Sequence, residues 1–150
     1  MGDPRESILE RLQEIGATIP GVVTSLRNIM AISENRRPAL VVFDADEAAE
    51  QVEFRGSRSY DSPTMVVMTP EVFVLVSATA ANVGRDLNLV RGRFIKAVLQ
   101  DAPLKTLLGT SGDARYAGCG TALATGRSME GEMALSFAFR YALKPSETET

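Results

Sequence analysis

The run Asn82-Val83-Gly84-Arg85-Asp86-Leu87-Asn88-Leu89-Val90-Arg91-Gly92-Arg93-Phe94-Ile95-Lys96-Ala97-Val98-Leu99-Gln100-Asp101-Ala102-Pro103-Leu104-Lys105-Thr106-Leu107-Leu108 decides how this chain folds. Leu87, Val90, Phe94, Ile95, Val98 and Leu99 fall at i, i+3, i+7, i+8, i+11 and i+12, a single apolar stripe at the helical period. The spacing predicts a long amphipathic helix with a short helical sequel. Arg85, Asp86, Asn88, Arg91, Arg93, Lys96 and Gln100 take much of the remaining surface, so one face is wet. Asn82 is placed to cap the first turn through its side-chain oxygen. Pro103 ends the first segment or bends it, having no amide to donate.

Such a stripe needs an apolar surface beneath it, and the run from Glu132 to Lys144 supplies one. Met133, Leu135, Phe137, Phe139, Tyr141 and Leu143 alternate with Ala134, Ser136, Ala138, Arg140 and Ala142. Strict alternation at period two predicts a strand with large residues on one face and small ones on the other. The large face, extended by Leu40–Phe43, is the natural seat of the helix. Base stacking on the aromatic strip would call for a flanking basic pattern, which this run lacks.

Upstream, Asp3-Pro4-Arg5-Glu6 reads as a helix start with Asp3 at the cap, Pro4 at the first turn and Glu6 completing a capping box. Ile8, Leu9, Leu12 and Ile15 form its buried stripe, and Gly16 with Pro20-Gly21 is expected to stop it. Val22 to Asn28 reads as a short strand. Pro38-Ala39-Leu40-Val41-Val42-Phe43 reads as a strand buried on both faces, with the proline at its entrance. From 44 to 62 the composition turns polar and acidic, which predicts a long loop. Its carboxylates Asp44, Asp46 and Glu47 lack the glycine and terminal glutamate of a calcium loop, so no metal is assigned. Thr64–Thr69 and Glu71–Val76 flank Pro70 and form either one long strand with a proline bulge or two strands meeting at a corner, with an edge or bend at the proline. After the long helix, Gly109–Asp113 is a loop. Arg115–Ala117 and Thr121–Ala124 are strand pieces parted by Gly118-Cys119-Gly120, where glycine permits a bulge. This run lacks the lysine and Ser/Thr of a phosphate loop. Residues 145–150 read as a polar tail.

The fold class implied is α+β: a mostly antiparallel mixed sheet packed by one long helix and an N-terminal helix, in one domain spanning all 150 residues. A net charge of −3 gives no global reason to expect a nucleic-acid surface. The apolar runs are too short for a membrane-spanning helix, and no secretory signal is evident. The one cysteine, Cys119, rules out an internal disulfide and fits a reducing compartment. With no histidine, there is no Ser-His-Asp triad, Cys-His pair or histidine metal site. Asp, Glu, Lys and Tyr remain available for catalysis.

The element order resembles the tail terminator and tail-completion proteins of long-tailed bacteriophages. The resemblance is carried by Arg5-Glu6-Ser7-Ile8-Leu9-Glu10-Arg11-Leu12, by Arg37-Pro38-Ala39-Leu40-Val41-Val42 leading into Asp44-Ala45-Asp46-Glu47, and by Ala97-Val98-Leu99-Gln100-Asp101-Ala102-Pro103-Leu104. Arg115-Tyr116-Ala117-Gly118 and Leu135-Ser136-Phe137-Ala138-Phe139-Arg140-Tyr141 complete it. It covers nearly the whole chain, and it carries no invariant catalytic signature. It implies a homohexameric ring that caps the tail tube in the virion, ends tube polymerisation and meets the neck connector. The expected partners are therefore the chain itself, the tube protein and a head-completion protein, with genome DNA passing unread through the lumen. The expected location is the tail–neck junction, reached from the host cytoplasm. No catalytic residue, cofactor or metal is implied, so the expectation is a structural protein and not an enzyme. Asp44, Asp46, Glu47, Glu50, Glu53, Arg55 and Arg58 of the acidic excursion, and Arg85, Arg91, Arg93 and Lys96 of the helix, are the candidate assembly residues. The alternatives are a head–tail stopper, a minor tail protein, a small carboxylate-dependent enzyme and an α/β ligand-binding domain.

Overall fold

Pro4–Thr18 forms helix α1, whose cap Asp3 accepts from the Arg5 amide at 3.0 Å. The capping box is not closed, because Glu6 turns to Arg27 instead. Ile8, Leu9, Leu12 and Ile15 are buried as the stripe predicts. Gly16 does not stop the helix. It lies inside it, where a Cβ would stand 2.6 Å from the Ser25 hydroxyl, so the glycine lets α1 settle onto the sheet. The end comes at Thr18, before Pro20 and a Gly21 with φ +88°.

The computed structural model describes residues 2–29, 31–50, 59–124 and 129–148. Its strands are β1 (Thr24–Arg27), β2 (Ala39–Ala49), β3 (Thr64–Ala78), β4 (Asp113–Ala124) and β5 (Met129–Leu143), and the other helices are α2 (Val83–Gln100) and α3 (Ala102–Leu108). The strands make one five-stranded sheet in the order β1-β2-β3-β5-β4. Only β1 and β2 run parallel; the other pairs are antiparallel. The fold is thus α+β, with all three helices on one face of a mixed sheet.

β2 begins with four buried residues, Ala39 to Val42, as its continuous apolar character requires. Leu40 and Val42 face the helices, while Ala39 and Val41 join Ile32 and Leu75 in a small second core on the other face. The acidic stretch after Phe43 is not all loop: Asp44 to Ala49 continue β2. A register shift between Phe43 and Asp46 leaves Asp44 and Ala45 bulged opposite Pro70. One long strand with a bulge at Pro70 is thus what forms, but the extra residue belongs to β2, and Pro70 is not at an edge. It sits buried within β3, the central strand, where the bulged neighbour asks for no amide at that point.

α2 packs its buried residues Val83, Leu87, Val90, Phe94 and Val98 against β5. Phe137 is the hub, edge-on to Phe94 at 5.8 Å and to Tyr116 at 5.7 Å, and stacked on Phe139 at 5.9 Å. Two details differ from expectation. Asn82 makes no side-chain cap bond; Thr79 accepts the Asn82 and Val83 amides instead. Leu99 lies 36% exposed, off the buried stripe. Between the helices Asp101 takes the capping role, accepting from the Leu104 amide at 2.8 Å with Pro103 in the first turn of α3. The Arg11 guanidinium grips the same carboxylate at 2.9 and 2.7 Å, fastening α1 to the α2–α3 joint.

β4 is one strand, with the glycine-permitted bulge falling between Tyr116 and Gly118 (φ +134°). The tail is tied down in part. Pro145–Glu147 form a 3-10 turn, and Ser146 donates to Asp61 through amide and hydroxyl at 2.9 and 2.8 Å.

Candidate assembly surface

Three of the acidic residues named from the sequence, Asp44, Glu47 and Glu50, are anchored within their own chain. Arg27, at the end of β1, reaches Asp44 with Nε and Nη2 at 2.7 and 2.6 Å, and Glu6 of α1 at 2.6 and 3.0 Å. One guanidinium therefore bridges α1, β1 and the bulge of β2. Arg5 reinforces the place by donating to the Ala45 carbonyl at 2.6 Å. Glu47 accepts from the Tyr141 hydroxyl. Burial pushes that phenol well above its ordinary range, and Glu47 pushes it further, so it stays protonated and donates. Glu50 receives Arg140 through two bonds of 2.5 and 3.0 Å. Asp46 lies exposed on the face of the sheet away from the helices, opposite Thr69. Glu53, Arg55 and Arg58 lie outside the described residues.

On α2, Arg91 lies 5.3 Å over the Tyr116 ring and donates to its hydroxyl at 3.2 Å. Cys119 adjoins this pair on an exposed part of β4. Arg93 donates to the Pro20 carbonyl at 2.8 Å, fastening α2 to the end of α1. Arg85 and Lys96 project to solvent.

The bidentate pairs were out of reach of the sequence. Arg27 and Asp44 are 17 positions apart and Arg140 and Glu50 are 90 apart, with no local period to link them. Asp101 left a faint signal, an Asp three residues before Leu104 with a proline between them, of the kind that marks a cap.

The arrangement has a pH signature. Arg27 holds both Asp44 and Glu6 below the ordinary carboxylate range, and Arg11 does the same for Asp101. A carboxylate depressed in the fold contributes stability that is complete above its unfolded value and is lost as pH falls through the folded one. Thermal stability is therefore expected to hold from neutrality to about pH 5 and to drop below about pH 4. Arg27→Gln should flatten that drop, measured as the melting temperature against pH. An equal slope in the variant would remove Arg27 from the account.

A cavity of about 390 Å³ is an open cleft between the end of α2, α3 and the start of β4. Val98, Leu99, Leu104 and Leu108 line it, with Lys105 and Asp113 at its polar end. Asp113 is engaged by Arg115 at 3.2 Å. Among the described residues no three acidic or thiol side chains cluster as a metal would require, and Asp44 of the acidic triplet is turned to Arg27. Among the described residues no helix is long and apolar enough to cross a membrane. The chain matches no protein-family model, and no curated protein is significantly similar to it.

Proposed function

We propose that the chain is a structural virion protein that forms a ring on the end of a bacteriophage tail tube. There it stops the addition of tube subunits and presents a surface to the neck connector, with the genome passing through the lumen. The observation that carries this reading is the element order. Helix, short strand, buried strand, proline-containing strand, long helix with sequel, glycine-bulged strand and alternating strand follow one another as the resemblance to tail terminators implies. A sheet with helices on one face only also leaves the part of its other face beyond the Ile32 cluster available for neighbours.

Electron microscopy of the purified protein tests the reading directly. Discrete hexameric rings, together with tubes whose growth stops on addition of the protein, are the expected result. A particle that stays monomeric at high concentration would overturn the ring. Binding to DNA-filled heads with no binding to tubes would transfer the protein to the stopper class.

A further inference from the structure

Helix α2 carries a second ordered stripe, diametrically opposite the buried one. Arg85, Leu89, Gly92, Lys96 and Leu99 follow at i, i+4, i+7, i+11 and i+14, all of them exposed. Leu89 is 49% exposed and Leu99 36%. Gly92 lies at the middle of this face, and a Cβ there would meet nothing within 4 Å. Glycine in a helix interior lowers helix stability relative to alanine, and nothing in the fold asks for it here. What it provides is a place for another backbone to come close.

The opposite side of the molecule has the complementary character. On the sheet face away from the helices, Ala134, Ser136 and Ala138 of β5 form a low floor. Glu71 stands opposite Ser136, and Glu130 and Glu132 lead into the floor along β5. Arg37 borders this patch, its guanidinium bonded to the Ile32 carbonyl; Arg115, opposite Ala138, is matched by Asp113, and Arg140 at the far end by Glu50. The patch is thus net acidic, while the outward face of α2 is basic, with Asp86 lying to its side.

We propose that α2 of one copy docks on the exposed sheet face of the next, the cations of its outer stripe meeting Glu71 and Glu132. The second copy is the occupant because one chain presents both halves of the match on opposite sides. A contact between unlike surfaces is heterologous, and it closes to a ring when the rotation allows. The proposal rests on the ring reading for its closure and not for the contact itself.

Light scattering on three proteins tests it: the natural chain, a helix variant carrying Arg85→Glu and Lys96→Glu, and a sheet variant carrying Glu71→Lys and Glu132→Lys. Circular dichroism confirms that each is folded. The natural chain is expected to assemble, less tightly at high salt. Each variant alone should associate roughly 100-fold more weakly, because like charges are then brought together. An equal mixture of the two should assemble again, since each restores the other's partner. Gly92→Leu should also weaken assembly while leaving every charge in place. Failure of the mixture or an unaffected Gly92→Leu would overturn the contact and leave the ring intact. A natural chain that does not associate would overturn ring and contact together. Assembly as proposed without arrest of tail tubes would instead refute the tail-terminator function alone.

Discussion

Phe137→Ala is expected to cost about 3–5 kcal/mol of folding stability, the largest loss foreseen for any single substitution considered. Phe137 is fully buried and touches the Phe94, Tyr116 and Phe139 rings, so it joins α2, β4 and its own strand. Removing the ring loses its transfer from water and leaves a cavity walled by aromatic edges, which a strand in the sheet interior closes only in part. A loss of this size is a large fraction of the stability of an ordinary domain. For a chain of this length it should lower the melting temperature by roughly 10 °C. Urea unfolding followed by far-UV circular dichroism reads it as a shift of the midpoint with little change of slope. A loss under about 1 kcal/mol would mean that the aromatic cluster is not the centre of the core.

Gly112→Ala is expected to be nearly as damaging, at about 3 kcal/mol, for the opposite reason. A Cβ at Gly112 would lie 2.3 Å from the Leu108 carbonyl oxygen and 2.3 Å from that of Arg140. Both are backbone atoms, one at the end of α3 and one in β5, so neither can swing aside as a side chain would. The turn that leads α3 into β4 must shift as a unit, taking the first pairs of the β4–β5 ladder with it. Gly109, with φ +78° and open space around it, supplies the contrast. There alanine is disfavoured by backbone conformation and not by a clash, and the milder loss should come from that position. If Gly112→Ala were neutral in the same urea experiment, the close approach of α3 to β5 would be wrong.

The elements legible in the sequence are those whose burial repeats with a local period. The α2 stripe and the alternation of β5 each state their partner face within one segment, and the two faces meet as expected. The central setting of Pro70 and the strand character of Asp44–Ala49 were not legible, and they failed together. Whether β3 tolerates a proline depends on what β2 does beside it, and the bulge in β2 is what breaks the alternation that would have marked Asp44–Ala49 as strand. A property shared by two strands leaves no period in either. The same holds for the surface. Composition pointed to acids and bases as adhesive groups, yet Asp44, Glu50 and Arg93 are engaged inside the chain by partners distant in sequence. Among the described candidates, Asp46, Arg85 and Lys96 are the exposed ones whose side chains are not engaged by another part of the chain. The outer stripe of α2 was hidden because Leu99 fits either face by spacing alone, and its exposure decides between them.

The position of β5 has a consequence for how the molecule is made. It is the last of the described strands in sequence, yet it is hydrogen-bonded to β3 on one side and to β4 on the other. Until residues up to Leu143 have left the ribosome, β4 has no neighbour and α2 has only β3 beneath it, with the β5 half of its floor missing. The earlier segments can gather around β1, β2 and β3, but the long-range pairings that unite the two halves come last and close the largest loops. Folding is therefore completed only after β5 has been synthesised. During that interval the apolar stripe of α2 and both edges of the gap are open to solvent, the period in which misassembly with other chains competes most strongly with folding.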